Sequence, residues 1–96
     1  MSVSIVGWGH TKFGKLEQDV EDLIIEASTA AIANAGVPAA DIDAVYLGWY
    51  NGGFSAQDFG SSLVMNGIDE LRFKPATRVE NACATGSAAV HQGANL

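Results

Sequence analysis

The sequence predicts an α/β fold on a parallel sheet covered on both faces, in the element order β-α-β-α-β-α. Three observations predict it. Residues 19–36 repeat their apolar side chains at steps of three and four, the signature of an amphipathic helix. Residues 44–48 and 77–80 are short runs of strand length and composition. Helical stretches alternate with these strand-like ones, an order that calls for crossover connections and hence parallel pairing.

The elements follow in order. Residues 2–6 (Ser-Val-Ser-Ile-Val) alternate and then run apolar into Gly7-Trp8-Gly9, which suits a short strand ending in a glycine turn. Residues 11–18 are mixed and polar and read as a loop. Val20, Leu23, Ile24, Ala27, Ala31 and Ala35 share one helix face, with Glu21, Asp22 and Glu26 turned away. Asp19 suits the N-cap, and the acids after it complement the positive end of the helix dipole. Gly36 supplies a left-handed stop and Pro38 follows it.

Asp41-Ile42-Asp43 turns into the second strand, residues 44–48 (Ala-Val-Tyr-Leu-Gly). Residues 49–55 carry Asn51-Gly52-Gly53 and form a loop. Residues 56–66 are weakly helical, with Phe59, Ser62 and Leu63 inward, and end at Gly67. A connection through Pro75 reaches the third strand, residues 77–80 (Thr-Arg-Val-Glu), and Asn81-Ala82-Cys83 turns into the last helix. That helix, residues 86–96, meets no terminating signal, as expected of a piece of a longer chain. In such sheets ligands gather at the carboxyl ends of the strands, where residues 48–53 and 81–86 fall.

Composition narrows the function classes. Ninety-six residues make at most one domain, and 48% hydrophobic against 17% charged leaves apolar material for a core rather than a disordered chain. Eleven acids against five scattered bases give a net charge of −6, which argues against nucleic acid, whose phosphates need clustered Lys and Arg. No apolar run approaches the ~20 residues of a membrane span, and the amino end lacks a secretory pattern. One cysteine cannot form an internal disulfide, so a cytoplasmic location is expected.

That one cysteine carries the chemistry. Cys83 lies where a strand turns into a helix, among Ala82, Ala84, Thr85, Gly86, Ser87, Ala88 and Ala89. Small neighbours let a substrate approach the sulfur. A thiol at a helix N-terminus has its thiolate stabilised by unpaired backbone N–H groups and the dipole. The same N–H groups suit the oxyanion that forms when a thioester carbonyl is attacked. The competing reading is a buried structural cysteine.

No local histidine serves as its base. On one helix, His91 would lie ~12 Å along the axis and about 80° around it from Cys83, whereas a nucleophile–base pair needs ~2.6–3.2 Å. His91 therefore reads as a packed or surface residue. His10, after the first strand, could approach the strand ends, but nothing in the sequence fixes its distance to Cys83 and it reads as a turn residue. Two histidines and one cysteine fall short of a zinc-ligand set, so no metal is expected. Gly7-Trp8-Gly9 is no dinucleotide fingerprint, because Lys12 stands where the third glycine belongs. Trp49, Tyr50 and Phe54 could pack over their own core, line an acyl pocket or meet a second subunit. Glu17, Asp19, Glu21 and Asp22 read as a solvated helix start, and Asn81 as a cap on the helix that follows.

The stretch Glu80-Asn81-Ala82-Cys83-Ala84-Thr85-Gly86-Ser87-Ala88-Ala89-Val90 resembles the nucleophile region of thiolases. Its Cys-Ala-Thr-Gly-Ser form is similar to the sterol-carrier-protein-type and acetyl-CoA acetyltransferase-like members. Ile5-Val6-Gly7 with Thr11-Lys12-Phe13-Gly14 resembles that family's opening strand and turn. Glu26-Ala27 through Ala35-Gly36-Val37, with Asp41-Ile42-Asp43-Ala44-Val45, resembles its first helix and second strand. Nearly the whole chain is covered, in order and spacing.

The resemblance implies the beginning of an αβαβα layered fold, with residues 1–96 as the amino-terminal part of the thiolase N-terminal domain. It implies Cys83 as the acylated nucleophile, with Asn81, Ala84 and Gly86 in the substrate and oxyanion environment. It implies acyl-CoA as substrate with no cofactor, a homodimer, and a loop near residues 48–54 close to the dimer interface. The activating histidine, and the second cysteine with its further histidine, are expected far downstream of Cys83, so these 96 residues alone are expected to be inactive. A small zinc-ribbon/OB-fold partner protein is a further implied possibility.

Two function classes follow. One is an acyltransferase acting on acyl-CoA and 3-ketoacyl-CoA thioesters through an acyl-cysteine. The other is a non-catalytic lipid- or partner-binding module that keeps the shape and needs no reactive thiol. A ketoacyl synthase is a lesser alternative, disfavoured by Ala84-Thr85-Gly86-Ser87 and the Thr11-Lys12-Phe13-Gly14 turn.

Overall fold

Helix α1 (Val20–Ala35) forms where the three-and-four repeat places it. Asp19 closes its start with a capping box. The Asp19 carboxylate accepts the Asp22 N–H at 2.8 Å, and the Asp22 carboxylate accepts the Asp19 N–H at 3.2 Å. At the other end Gly36, at φ 71°, donates its N–H to the carbonyls of Ile32 and Ala33. The structure is a computed structural model that describes residues 2–50 and 52–96.

Strands β1 (Val45–Gly48) and β2 (Ala76–Val79) pair in parallel, Val45 opposite Ala76 and Gly48 opposite Val79, so their carboxyl ends are level. The ladder extends past both ends: Val45 N–H donates to Pro75 at 2.9 Å and Trp49 N–H to Val79 at 3.0 Å. Both faces are covered, as the alternation of β1 shows. Tyr46 and Gly48 meet helix α2 (Thr85–Ala94), Tyr46 beside Gly93 and Gly48 against Thr85. Val45 and Leu47 turn to the other side, Val45 into the core and Leu47 along an open groove that Val20 and Ile24 of α1 also border.

The core sits on that second side. Val64, Ile68 and Leu71 are buried together, with Ile24 and Ile32 of α1 and Ala39, Ile42, Val45 and Met65 against them. The connection between the strands supplies the three buried residues, Val64 and Leu71 from two 3₁₀ segments, Gly60–Asn66 and Asp69–Leu71, and Ile68 from between them. The result is a small α/β unit with a two-stranded parallel sheet. No helix among the described residues is long and apolar enough to cross a membrane.

Two sequence expectations are corrected. Residues 2–6 are not a strand. A strand needs a ladder partner, and among the described residues β1 and β2 pair only with each other. The segment instead leads into Gly7 and Gly9, which press onto the small-residue face of α1. A Cβ on Gly7 would meet the Ala31 carbonyl oxygen at 2.6 Å, and one on Gly9 would overlap that of Ala27. Trp8 N–H donates to the Asn34 side chain at 3.1 Å rather than to a neighbouring strand. Val3, Ile5 and Val6 are left exposed.

The second correction concerns residues 56–66. The helical part is a 3₁₀ segment beginning at Gly60, and its three-residue period turns Gly60 and Leu63 inward together. Phe59 stands just outside it in the left-handed region, φ 57°, with its ring exposed, and Ser62 is exposed as well. The other boundaries agree within about two residues, β1 and β2 starting at Val45 and Ala76 and α2 running from Thr85 to Ala94. Asn51, read as part of the glycine loop, lies outside the described residues.

Candidate active site

Because Gly48 and Val79 are level, the segment leaving β1 and the segment leaving β2 emerge at the same end of the sheet. Cys83 lies on the latter, in the middle of a 3₁₀ turn, Ala82–Ala84, that joins β2 to α2. It is exposed, so it is not the buried structural cysteine that residue statistics favour.

The turn is tied down on both sides of Ala82. The Glu80 carboxylate accepts the Ala82 N–H at 2.5 Å. The Thr85 hydroxyl accepts the Asn81 N–H at 3.0 Å and donates to the Ala82 carbonyl at 2.6 Å. Ala84 N–H donates to the Asn81 carbonyl at 2.8 Å. Between these bonds Ala82 is held at φ 44°, a conformation that costs an L-residue about 1–2 kcal/mol. Strain of this kind persists only where the surroundings over-determine it. Thr85, only 8% exposed, makes two of the four bonds around Ala82.

The residues flanking the sulfur are small and open. Asn81, Ala84 and Gly86 are all exposed beside Cys83, and a Cβ added at Gly86 would meet nothing within 4 Å. The Asn81 side chain caps neither the 3₁₀ turn nor α2. That expectation is corrected: the Ala82 N–H goes to the Glu80 carboxylate and the Ala84 N–H to the Asn81 carbonyl, so the Asn81 backbone rather than its side chain takes part in the turn.

The histidines lie elsewhere. His91 is exposed in the last turn of α2, and His10 is exposed with its ring edge-on to Phe13, centroids 4.7 Å apart. Of the aromatic residues after β1, Trp49 is buried, with the Arg78 guanidinium 5.7 Å from its ring centroid. Gly60 leaves the space that the Trp49 ring fills, since a Cβ there would overlap the ring. Tyr50 and Phe54 are exposed and border an open groove of about 680 Å³ with Val20, Ile24, Leu47 and Trp49. Gly48 belongs to this groove and also touches Thr85, whereas Cys83 does not line it.

Three residues of the site carry no assignment from sequence. Thr85 and Glu80 hold the turn, and Gly48 lets α2 approach β1. A hydroxyl residue in the first turn of a helix, able to bond back to the residue three before it, is the signal for Thr85.

Residues 3–96 match the family model of the thiolase N-terminal domain. The chain is 43% identical over 94 residues to the acetyl-CoA acetyltransferase of Methanocaldococcus jannaschii, covering 94% of this chain and 23% of that protein. It is 42% identical over 95 residues to the acetyl-CoA acetyltransferase of Methanothermobacter thermautotrophicus, covering 95% and 24%. Sterol carrier protein 2 of Gallus gallus is 34% identical over 97 residues, covering 98% and 17%. The chain thus spans about a quarter of the length of the two acetyltransferases. With its match running over nearly every residue, the chain belongs to the thiolase N-terminal domain family.

Proposed function

We propose that this chain is the nucleophile-bearing part of a thiolase-type acyltransferase acting on acyl-CoA and 3-ketoacyl-CoA thioesters. The observation that carries the reading is the exposed Cys83 on a strained, hydrogen-bonded turn at the carboxyl end of β2. Its sulfur attacks the thioester carbonyl carbon and the bond from that carbon to the CoA sulfur breaks. The acyl group stays on Cys83, and CoA leaves as its thiol with the cysteine proton. In the synthetic direction the carbanion of a second thioester then takes the acyl group from Cys83. In the degradative direction the sulfur instead attacks the 3-keto carbon of a 3-ketoacyl-CoA and the C2–C3 bond breaks. The C2 carbanion takes up a proton and leaves as acetyl-CoA, and free CoA takes the acyl group from Cys83.

Coenzyme A thioesters enter as substrate, with no cofactor. Asn81, Ala84 and Gly86 frame the carbonyl, and the backbone at the start of α2 meets the oxyanion. The bases belong to the part of the relatives' length outside these 96 residues, since His10 and His91 both stand on other elements than the Cys83 turn. The 96 residues alone therefore give no turnover. Completed, the fold is the layered αβαβα domain of a cytoplasmic homodimer.

A direct test replaces the matching quarter of the Methanocaldococcus jannaschii acetyltransferase with these residues. Acetoacetyl-CoA cleavage by that chimera, abolished by Cys83→Ala, is the expected result. Equal activity of the Cys83→Ala chimera contradicts it.

The open groove beside Leu47, Trp49 and Phe54 favours a second reading, a thiolase-like module that binds a lipid or partner protein without catalysis. Under that reading a fluorescent fatty acyl probe binds equally well after Cys83 is alkylated, and the chimera is inactive.

A further inference from the structure

We infer that Thr85 is the positioning residue of the Cys83 turn, acting through its hydroxyl. The inference rests on Cys83 as nucleophile and adds the group that fixes its place. The Thr85 side chain does two separable things. Its methyl packs against Gly48, where a Cβ would stand 2.9 Å from Cγ2. Its hydroxyl bridges the turn, accepting from Asn81 N–H at 3.0 Å and donating to the Ala82 carbonyl at 2.6 Å. These two bonds span the residue held at φ 44°, immediately before Cys83. Without them Ala82 keeps the exposed Glu80 carboxylate and the bond from Ala84 N–H to the Asn81 carbonyl, and an alanine relaxes from that region when less restrained. Relaxation at Ala82 redirects the chain at Cys83. The methyl packs against Gly48 of β1 and makes no hydrogen bond to the turn.

Two substitutions separate the roles. Thr85→Val keeps the branched shape against Gly48 and removes the hydroxyl. Thr85→Ser keeps the hydroxyl and removes the methyl. The readouts are the rate of Cys83 alkylation by iodoacetamide in the native protein and the urea midpoint, with the urea-unfolded chain as reference thiol. Positioning requires the rate in Thr85→Val to fall about fivefold to tenfold towards that reference, as for a lost buried hydrogen bond. Thr85→Ser then restores the rate to within about twofold, although its midpoint drops with the lost methyl.

The reverse order, a fast Val variant and a slow Ser variant, assigns Thr85 to packing and overturns the inference. Should Thr85→Val fail to fold, the Ser variant decides alone: a rate near that of the parent supports positioning, and a rate near the reference overturns it. A parent protein whose native Cys83 reacts no faster than the unfolded chain refutes the nucleophile reading itself, and the inference falls with it. A fast parent with an equally fast Val variant removes only the role of Thr85.

Discussion

Thr85 fills the space where a side chain on Gly48 would stand: a Cβ built on Gly48 would lie 2.9 Å from the Thr85 Cγ2 and 3.0 Å from its carbonyl oxygen. The last residue of β1 and the first residue of α2 are thereby joined, and the turn that carries Cys83 is pressed against the end of the sheet. Gly48→Ala forces α2 away from β1. The expected cost is about 1–3 kcal/mol, as for overpacking elsewhere, read as a lower urea midpoint. Cys83 alkylation slows in the same variant, because Thr85 moves with α2.

Gly60 has a similar relation to Trp49, whose ring occupies the space of the missing side chain. Gly60→Ala displaces the ring towards solvent. Its fluorescence then shifts to longer wavelength, and stability falls by about 1–3 kcal/mol. Trp8 is already exposed, so the shift reports Trp49. An unchanged emission maximum contradicts the packing described.

The capping box at Asp19 is a local device with a local effect. Asp19→Ala removes the acceptor of the Asp22 N–H and costs about 1 kcal/mol. Asp19→Ser, which keeps a side-chain acceptor, recovers most of that loss in a urea titration. Cys83 alkylation is unchanged in either variant, since α1 does not touch the Cys83 turn in the hydrogen bonds that hold it.

Leu71 is 2% exposed at the centre of a small core. Leu71→Ala costs about 2–5 kcal/mol. A domain of this size buries only about 60–65% of its unfolded surface and has little stability to spare. Circular dichroism of Leu71→Ala is therefore expected to show a largely unfolded chain at ambient temperature. A native spectrum contradicts the placement of the core.

Much of this arrangement is legible in the sequence where the cause is local. Asp19, Gly36 and the spacing from Val20 to Ala35 delimit α1 because caps and periodicity act within a few residues. Both strands and the turn bearing Cys83 follow from short runs and the small residues after them. What depends on partners is not legible. The alternation at Val3 and Ile5 has strand form, yet pairing needs a neighbour that composition does not supply. Phe59 has the apolarity of a core residue, but a 3₁₀ period and a left-handed backbone turn it outward. The left-handed Ala82 is equally hidden, since alanine carries no sign of that conformation and the bonds imposing it come from Glu80 and Thr85.

The most direct measurement is a peptide map of the chimera after brief exposure to acetyl-CoA and an acid quench. One acetyl group on the peptide containing Cys83, absent from the Cys83→Ala chimera and released on adding free CoA, is the expected result. A catalytically active chimera whose acetyl group sits on any other residue contradicts the assignment of Cys83 as the nucleophile.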